Sequence, residues 1–289
     1  MSRPDTPDVT AFFDAATSSV SYVVTDPATG ICAVIDPVLD YDSRSGHLSM
    51  ASMDKIAAFI ADNKLQPRWI LDTHIHADHL SGLDSLRQRL GGMTGIGDQV
   101  IEVQGTFASY YNLGADIRCD GSQFDHLFAD AEEFRVGGLA AQALHVPGHT
   151  PACTAYLIGD CLFVGDSLLM PDFGTARCDF PGGDAATLYH SIRRLLALPD
   201  QTRVFVGHDY GPGGRAIAWE TTIADQRNGN IHVNETVSEE MFVELRTSRD
   251  MALELPALML AAVQVNIRGG RLPTPDSNGV SYLKIPLTR

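Results

Sequence analysis

Five cysteines are too few and too scattered to frame a small disulfide-built fold. Cys32, Cys119, Cys153, Cys161 and Cys178 are odd in number, and no two form a CxxC that would build a structural zinc ribbon. Reduced thiols in a cytoplasm fit this usage. No apolar run approaches the roughly 18 residues of a membrane span. Met1 to Thr10 lacks the basic and apolar stretches of a secretory leader. The expectation is therefore a cytoplasmic protein that stays off the membrane. Positive charge is also scarce: 21 Lys+Arg stand against 36 Asp+Glu, a formal charge of −15, and no basic block stands out. Nucleic acid and anionic lipid are poor partners for such a surface. Low-complexity tracts, clear linkers and confident internal repeats are missing as well. What remains is ordinary globular composition, 44% hydrophobic and 20% charged over 289 residues. That is enough for one large core, or for one domain with an extension.

Two β-branched runs, Ser19 to Thr25 and Ile31 to Val38, flank the turn-like Asp26-Pro27-Ala28-Thr29-Gly30 and read as a strand pair. Asp40 to Ser49 is polar and reads as a loop. Met53, Ile56, Ala57 and Ile60 follow helical spacing within Ala51 to Lys64. Arg68 to Leu71 is a short apolar strand running into Asp72-Thr73-His74. Leu83, Leu86 and Leu90 predict a helix stopped by Gly91-Gly92. Asp98 to Tyr111 reads as another. Strands are expected at Glu133 to Val136, Leu139 to Val146, Thr154 to Ile158 and Cys161 to Val164. A helix is expected over Ala185 to Leu198 and a strand over Arg203 to Val206. Helices around Glu239 to Arg249 and Leu255 to Val265 precede an irregular tail. The domain reading is a catalytic core over 1–215 with an extension, 216–289, packed on the same domain.

The chemistry concentrates at strand ends. His74-Ile75-His76-Ala77-Asp78-His79 is an HxHxDH cluster directly after an apolar strand, and its donors suit zinc, iron or manganese. His149 follows Val146-Pro147-Gly148, whose proline and glycine would set a tight turn. Asp166 ends the strand Phe163-Val164-Gly165, where a buried carboxylate is costly without a cation. His208 follows Val206-Gly207. One strand-end histidine or aspartate is commonplace; four such places in this order are not.

That order resembles the metallo-β-lactamase superfamily over about Ser19 to Tyr210. The resemblance implies an α/β (α+β) fold, an αββα sandwich with a helical C-terminal extension and metal at one edge of its sheets. In the di-metal form of the pattern, one site draws on His74, His76 and His149. The other draws on Asp78, His79 and His208, and Asp166 reaches both. Within the superfamily, Ile35-Asp36-Pro37-Val38, Arg177-Cys178-Asp179-Phe180, Thr187-Leu188-Tyr189-His190-Ser191 and His208-Asp209-Tyr210 resemble the persulfide dioxygenases (sulfur dioxygenases of the ethylmalonic-encephalopathy protein type), including longer bacterial members called β-lactamase-like hydrolases. Glyoxalase II enzymes carry an Arg-Phe-Phe-Glu type element and His-Glu-Tyr instead.

The resemblance implies one Fe(II) per chain on His74, His149 and Asp166, which are then the catalytic metal ligands. His76, Asp78, His79 and His208 would orient those ligands or hold a second metal. Arg177 and Tyr210 would contact substrate. The implied reaction converts glutathione persulfide, O2 and water to glutathione and sulfite, an oxidoreductase activity of sulfide metabolism. Dimers are common in that family, so a homodimer stays open. The alternative is a zinc-dependent glyoxalase II-like thioesterase or lactonase, because every di-metal ligand type is present. A non-enzymatic descendant is disfavoured by that complete set, and a nuclease by the net charge. Cys178, beside Arg177, is expected to be an inert buried thiol.

Overall fold

The computed structural model describes residues 6–287. Strand β1 (Asp8–Asp14) pairs antiparallel with β2 (Ser19–Thr25), which pairs antiparallel with β3 (Ile31–Ile35) across the predicted turn. Asp36 adopts a left-handed conformation, φ +49°, and ends the strand there. The run to Val38 is thus two strands rather than one. Asp40 to Ser49 is likewise not a simple loop. A hairpin of β4 (Val38–Asp42) and β5 (His47–Ser49) occupies it, and Asp42 closes its turn by accepting from Arg44 N and Ser45 Oγ. Short polar strands of this kind carry no hydrophobic alternation to betray them.

Helix α1 (Ala51–Asp62) leads to β6 (Gln66–Leu71), parallel to β3. The ladder shifts register between Cys32 and Ala33, opposite Pro67, which has no N–H to give. Then come β7 (Leu80–Ser81) beside β4, α2 (Leu83–Leu90), β8 (Met93–Gly97), α3 (Val100–Tyr110) and β9 (His126–Phe128). The first sheet has the order β1-β2-β3-β6-β8-β9. The second is built in sequence from β10 (Glu133–Val136), β11 (Leu139–His145), β12 (Thr154–Ile158), β13 (Cys161–Phe163), β14 (Arg203–Phe205) and β15 (Glu220–Thr222). Helix α4 (Ala185–Leu196) makes the crossover between the parallel strands β13 and β14. Helices α5 (Ile223–Gly229), α6 (Glu239–Asp250) and α7 (Met259–Asn266) follow. The segment beyond 215 therefore supplies an edge strand of the second sheet as well as three helices.

Period-two alternation explains the layering. On β2, Val20, Tyr22 and Val24 face the second sheet, while Val23 faces the helices behind; on β3, Ala33 and Ile35 face inward, Cys32 and Val34 outward. Tyr22 meets Phe163 and Phe205 edge-on across the inter-sheet core. Behind the first sheet pack Met53, Ile56 and Ile60 of α1, Leu83 and Leu86 of α2, and Val263 of α7. Behind the second pack Leu188, Ile192 and Leu195 of α4 with Phe242 of α6. Each such fully buried side chain contributes about 1.5–3 kcal/mol. The result is helices, sheet, sheet, helices: the expected αββα sandwich. Among the described residues, no helix is long and apolar enough to cross a membrane.

Candidate metal centre

Four loops leave the sheets at one edge and converge. They follow β6 (72–79), β11 (146–151), β13 (164–167) and β14 (206–209). Backbone hydrogen bonds stitch them together. Thr154 N donates to Thr73 O at 2.8 Å, Gly207 N to Gly165 O at 3.0 Å, and Val20 N to Gly207 O at 2.8 Å. Two glycines make the convergence sterically possible. Gly148 has φ +133°, and a Cβ there would lie 2.4 Å from the backbone of Leu188; Gly165 has φ +51°, and a Cβ would lie 2.5 Å from Thr73 Oγ1. Each directly precedes a donor residue, His149 and Asp166.

The donor atoms meet in two groups. One atom each from His74, His149 and Asp166 lie within 4.8 Å of one another, as do atoms from His76, Asp78 and His79. His74 Nε2 and His149 Nε2 stand 3.9 Å and 3.6 Å from Asp166 Oδ2. His208 Nε2 joins the groups, 3.3 Å from both Asp78 and Asp166. All seven His/Asp donors named from the sequence are brought together.

Their tautomers follow from the partners of the other ring nitrogen. Thr73 Oγ1 donates its single proton to Asp36 Oδ2 at 2.8 Å, so it accepts from His74 Nδ1–H at 3.0 Å. His149 Nδ1–H donates to Arg177 O at 2.6 Å, His79 Nδ1–H to Leu80 O at 3.1 Å, and His208 Nδ1–H to Ser18 O at 3.2 Å. In its neutral form each of these four rings presents an Nε2 lone pair. His76 is turned the other way. Its Nε2 bonds Asp36 Oδ1 at 3.0 Å, and its Nδ1 is buried with no hydrogen-bond partner, as is Asp166 Oδ1. Orphaned buried polar atoms are costly. A metal ion at these donors removes that cost, so the residues present fit a metal.

Electrostatics agree. Burial, reinforced by the neighbouring imidazoles, holds His74 well below the usual histidine range, and burial beside His76 brings His79 down to about 4. Both are neutral, as ligands must be. Burial also opposes charge on His76, but Asp36 outweighs it and pushes the ring up to about 10. Asp78 is held below the carboxylate range despite burial, chiefly by His208.

Residues 15–208 match the Metallo-beta-lactamase superfamily. The chain belongs to this superfamily. A probable metallo-hydrolase of Burkholderia pseudomallei is 50% identical over 96% of this chain and 98% of its own length. Glyoxylase B2 of Dictyostelium discoideum is 46% identical over 96% of each chain. Human mitochondrial persulfide dioxygenase ETHE1 is 30% identical over 92% of this chain and 89% of its own. The crystal structure of ETHE1 from Myxococcus xanthus superposes with a TM-score of 0.73 at 31% identity, covering 91% of this chain and all of that one. The chain spans 65% of the length of a beta-lactamase hydrolase-like protein of Agrobacterium fabrum.

In this superfamily member, His149, Asp166 and His208 line a cavity of about 450 Å3. Leu169, Phe173 and Phe180 give it apolar walls, and residues 253–258 close one side. Tyr210 stands half-exposed on the wall, stacked on His208 with ring centroids 6.1 Å apart. Arg177 also lines the cavity, but its donors are engaged. Nε and Nη2 fork onto Asp179 at 2.6 Å each, and Nη1 bonds Glu254 O at 2.6 Å. Cys178 is buried and its thiol is pushed up to about 12 by burial, so it is not a thiolate.

Sequence reasoning gave no role to Asp36 or Thr73, which orient two histidines, and did not find Asn266, Arg246 or Asp250. Asp36 had a signal, an aspartate ending an apolar strand. Arg246, Asp250 and Asn266 act from helices 70 to 190 residues away along the chain, and nothing local marks them.

Proposed function

We propose that the protein is a persulfide dioxygenase, oxidising glutathione persulfide with O2 and water to glutathione and sulfite. The observation that carries this reading is the His74, His149 and Asp166 group: two imidazole nitrogens and one carboxylate, delivered by three loops, with His149 and Asp166 lining a 450 Å3 cavity. Two histidines and one carboxylate leave adjacent positions free for two reactants, the arrangement of non-haem iron oxygenases. The likeness to the persulfide dioxygenases at about 30% identity supports the same choice. Ferrous iron bound there would supply the redox chemistry that no side chain offers.

The chain's own residues do the rest. Asp36, through Thr73, keeps the proton on His74 Nδ1, and the Arg177 carbonyl keeps it on His149 Nδ1. Asp78, through His208, holds Asp166 in place, and Asp36 fixes the ring of His76. Phe173, Phe180 and Leu169 exclude water from the reacting sulfur. Tyr210 offers an aromatic face to the thiol. Arg177 binds a substrate carboxylate only by giving up its fork onto Asp179, which costs part of the affinity gained. The cavity suits a tripeptide-sized thiol.

A second reading is a zinc thioesterase, favoured by the complete donor set of both groups and by the relative named Glyoxylase B2. Oxygen uptake separates the two. Iron-loaded protein given glutathione persulfide should consume one O2 per sulfite formed. Iron-bound protein that takes up no oxygen would end the dioxygenase reading.

A further inference from the structure

Four buried side chains of the C-terminal segment bond the backbone of the donor loop after β6 or of residues 175–178 beside Arg177. Thr175 N donates to His232 Nδ1 at 3.0 Å, Thr175 O accepts from Arg246 Nη1 at 3.0 Å, and Cys178 N donates to Asp250 Oδ2 at 2.8 Å. Arg246 and Asp250 pair with each other one turn apart on α6. Between these anchors lies Arg177 O, the acceptor that fixes His149. At the donor loop after β6, Asn266 of α7 gives both Nδ2 hydrogens to the carbonyls of His76 and His79, at 2.8 Å each. Its Oδ1 accepts from Ser81 N at 2.7 Å. Asn266 is 0% exposed, Arg246 2% and Asp250 5%. All lie outside the residues 15–208 that match the superfamily.

We infer that Arg246, Asp250 and Asn266 are positioning residues of the metal centre: Asn266 holds the donor loop after β6 by its backbone, and Arg246 and Asp250 hold the backbone on either side of Arg177, whose carbonyl orients His149. Docking the helices does not require these polar groups. Phe242, Ala262 and Val263 already bury an apolar contact, and a buried guanidinium is costly unless its partners matter. Each clamp ends one or two residues from a group that bonds or is a metal donor, so loosening it releases ring orientation rather than packing. The inference rests on a metal at these donors and not on the reaction.

Metal affinity of the full chain tests it without turnover. Zn(II) is titrated against a chromophoric chelator, and Fe(II) anaerobically, for Arg246→Met, Arg246→Lys, Asn266→Leu and Phe242→Leu. Removing ligand-orienting partners weakens metal binding about 10–100-fold. That loss is expected for Arg246→Met and Asn266→Leu, with partial recovery in Arg246→Lys. Phe242→Leu should destabilise the fold yet leave affinity unchanged. Should Arg246→Met not fold, Asp250→Asn carries the test, because it keeps an oxygen for Cys178 N and loses only the charge; a several-fold loss is expected. Unchanged affinity in the folded clamp variants, or an equal loss in Phe242→Leu, would overturn the inference. A wild-type protein that binds neither ion would overturn it together with the metal reading, whereas absent oxygen uptake leaves it standing.

Discussion

The loops of residues 72–208 and the segment behind them contribute to one centre in opposite ways. The loops carry every donor: His74, His76, Asp78, His79, His149, Asp166 and His208. The segment from His232 to Asn266 carries none, but it bonds the backbone of His76 and His79 and the backbone flanking Arg177, whose carbonyl orients His149. Donors are defined by side-chain chemistry at one point in space, so their types are restricted and their order along the chain is recognisable. Residues that hold a backbone carbonyl need only a hydrogen-bond donor at the right place, and many residue types and positions can provide one.

That contrast can be broken at graded strengths. The largest effect belongs to a donor. His149→Ala should reduce bound iron and persulfide-dependent oxygen uptake to background, read by metal analysis and an oxygen electrode. Next comes the packing of the segment itself. Phe242 is fully buried against α4, and Phe242→Ala should cost about 3–5 kcal/mol of stability, measured by urea denaturation. Metal affinity at temperatures where the variant is folded should stay unchanged. A smaller effect is expected at Asp36, which orients His76 and, through Thr73, His74. Asp36→Asn should weaken metal binding about 10–100-fold with little loss of secondary structure by circular dichroism.

The smallest effect lies far from the centre. Asp26 accepts from Thr29 Oγ1, Ala28 N and Gly138 N, tying the end of β2 to the β10–β11 turn. Burial pushes its carboxyl up, but these hydrogen bonds outweigh it and hold the group below the ordinary carboxylate range. The folded state therefore binds fewer protons than the unfolded one in that window. The stabilisation is complete above the unfolded carboxylate pKa and is lost as pH falls through the depressed folded value. Asp26→Asn should cost about 1 kcal/mol at neutral pH and flatten the acid limb of a stability-versus-pH curve. Acid sensitivity identical to wild type would contradict this.

The sequence made the donors legible because each sits where an apolar strand stops: Leu71 before Asp72, Val164 before Gly165-Asp166, Val206 before Gly207-His208. The αββα layering followed from the family resemblance those motifs carry, and the alternation along β2 and β3 agrees with it. The hairpin at 38–49 was not legible, since its polar residues lack alternation and its ladder depends on Asp36 turning left-handed. Neither was the edge strand β15, three residues whose pairing with β14 is a tertiary fact. Arg177, expected from the resemblance to contact substrate, lines the cavity, but its fork onto Asp179 was not legible, although the two stand only two positions apart.

The measurement that tests the central claim most directly is made on one preparation loaded separately with iron and with zinc, each given glutathione persulfide and an acyl-glutathione thioester. The account predicts oxygen uptake and sulfite with persulfide in the iron form alone, and background thioester hydrolysis in both. Rapid thioester hydrolysis by the zinc form, with no oxygen uptake by the iron form, would contradict it.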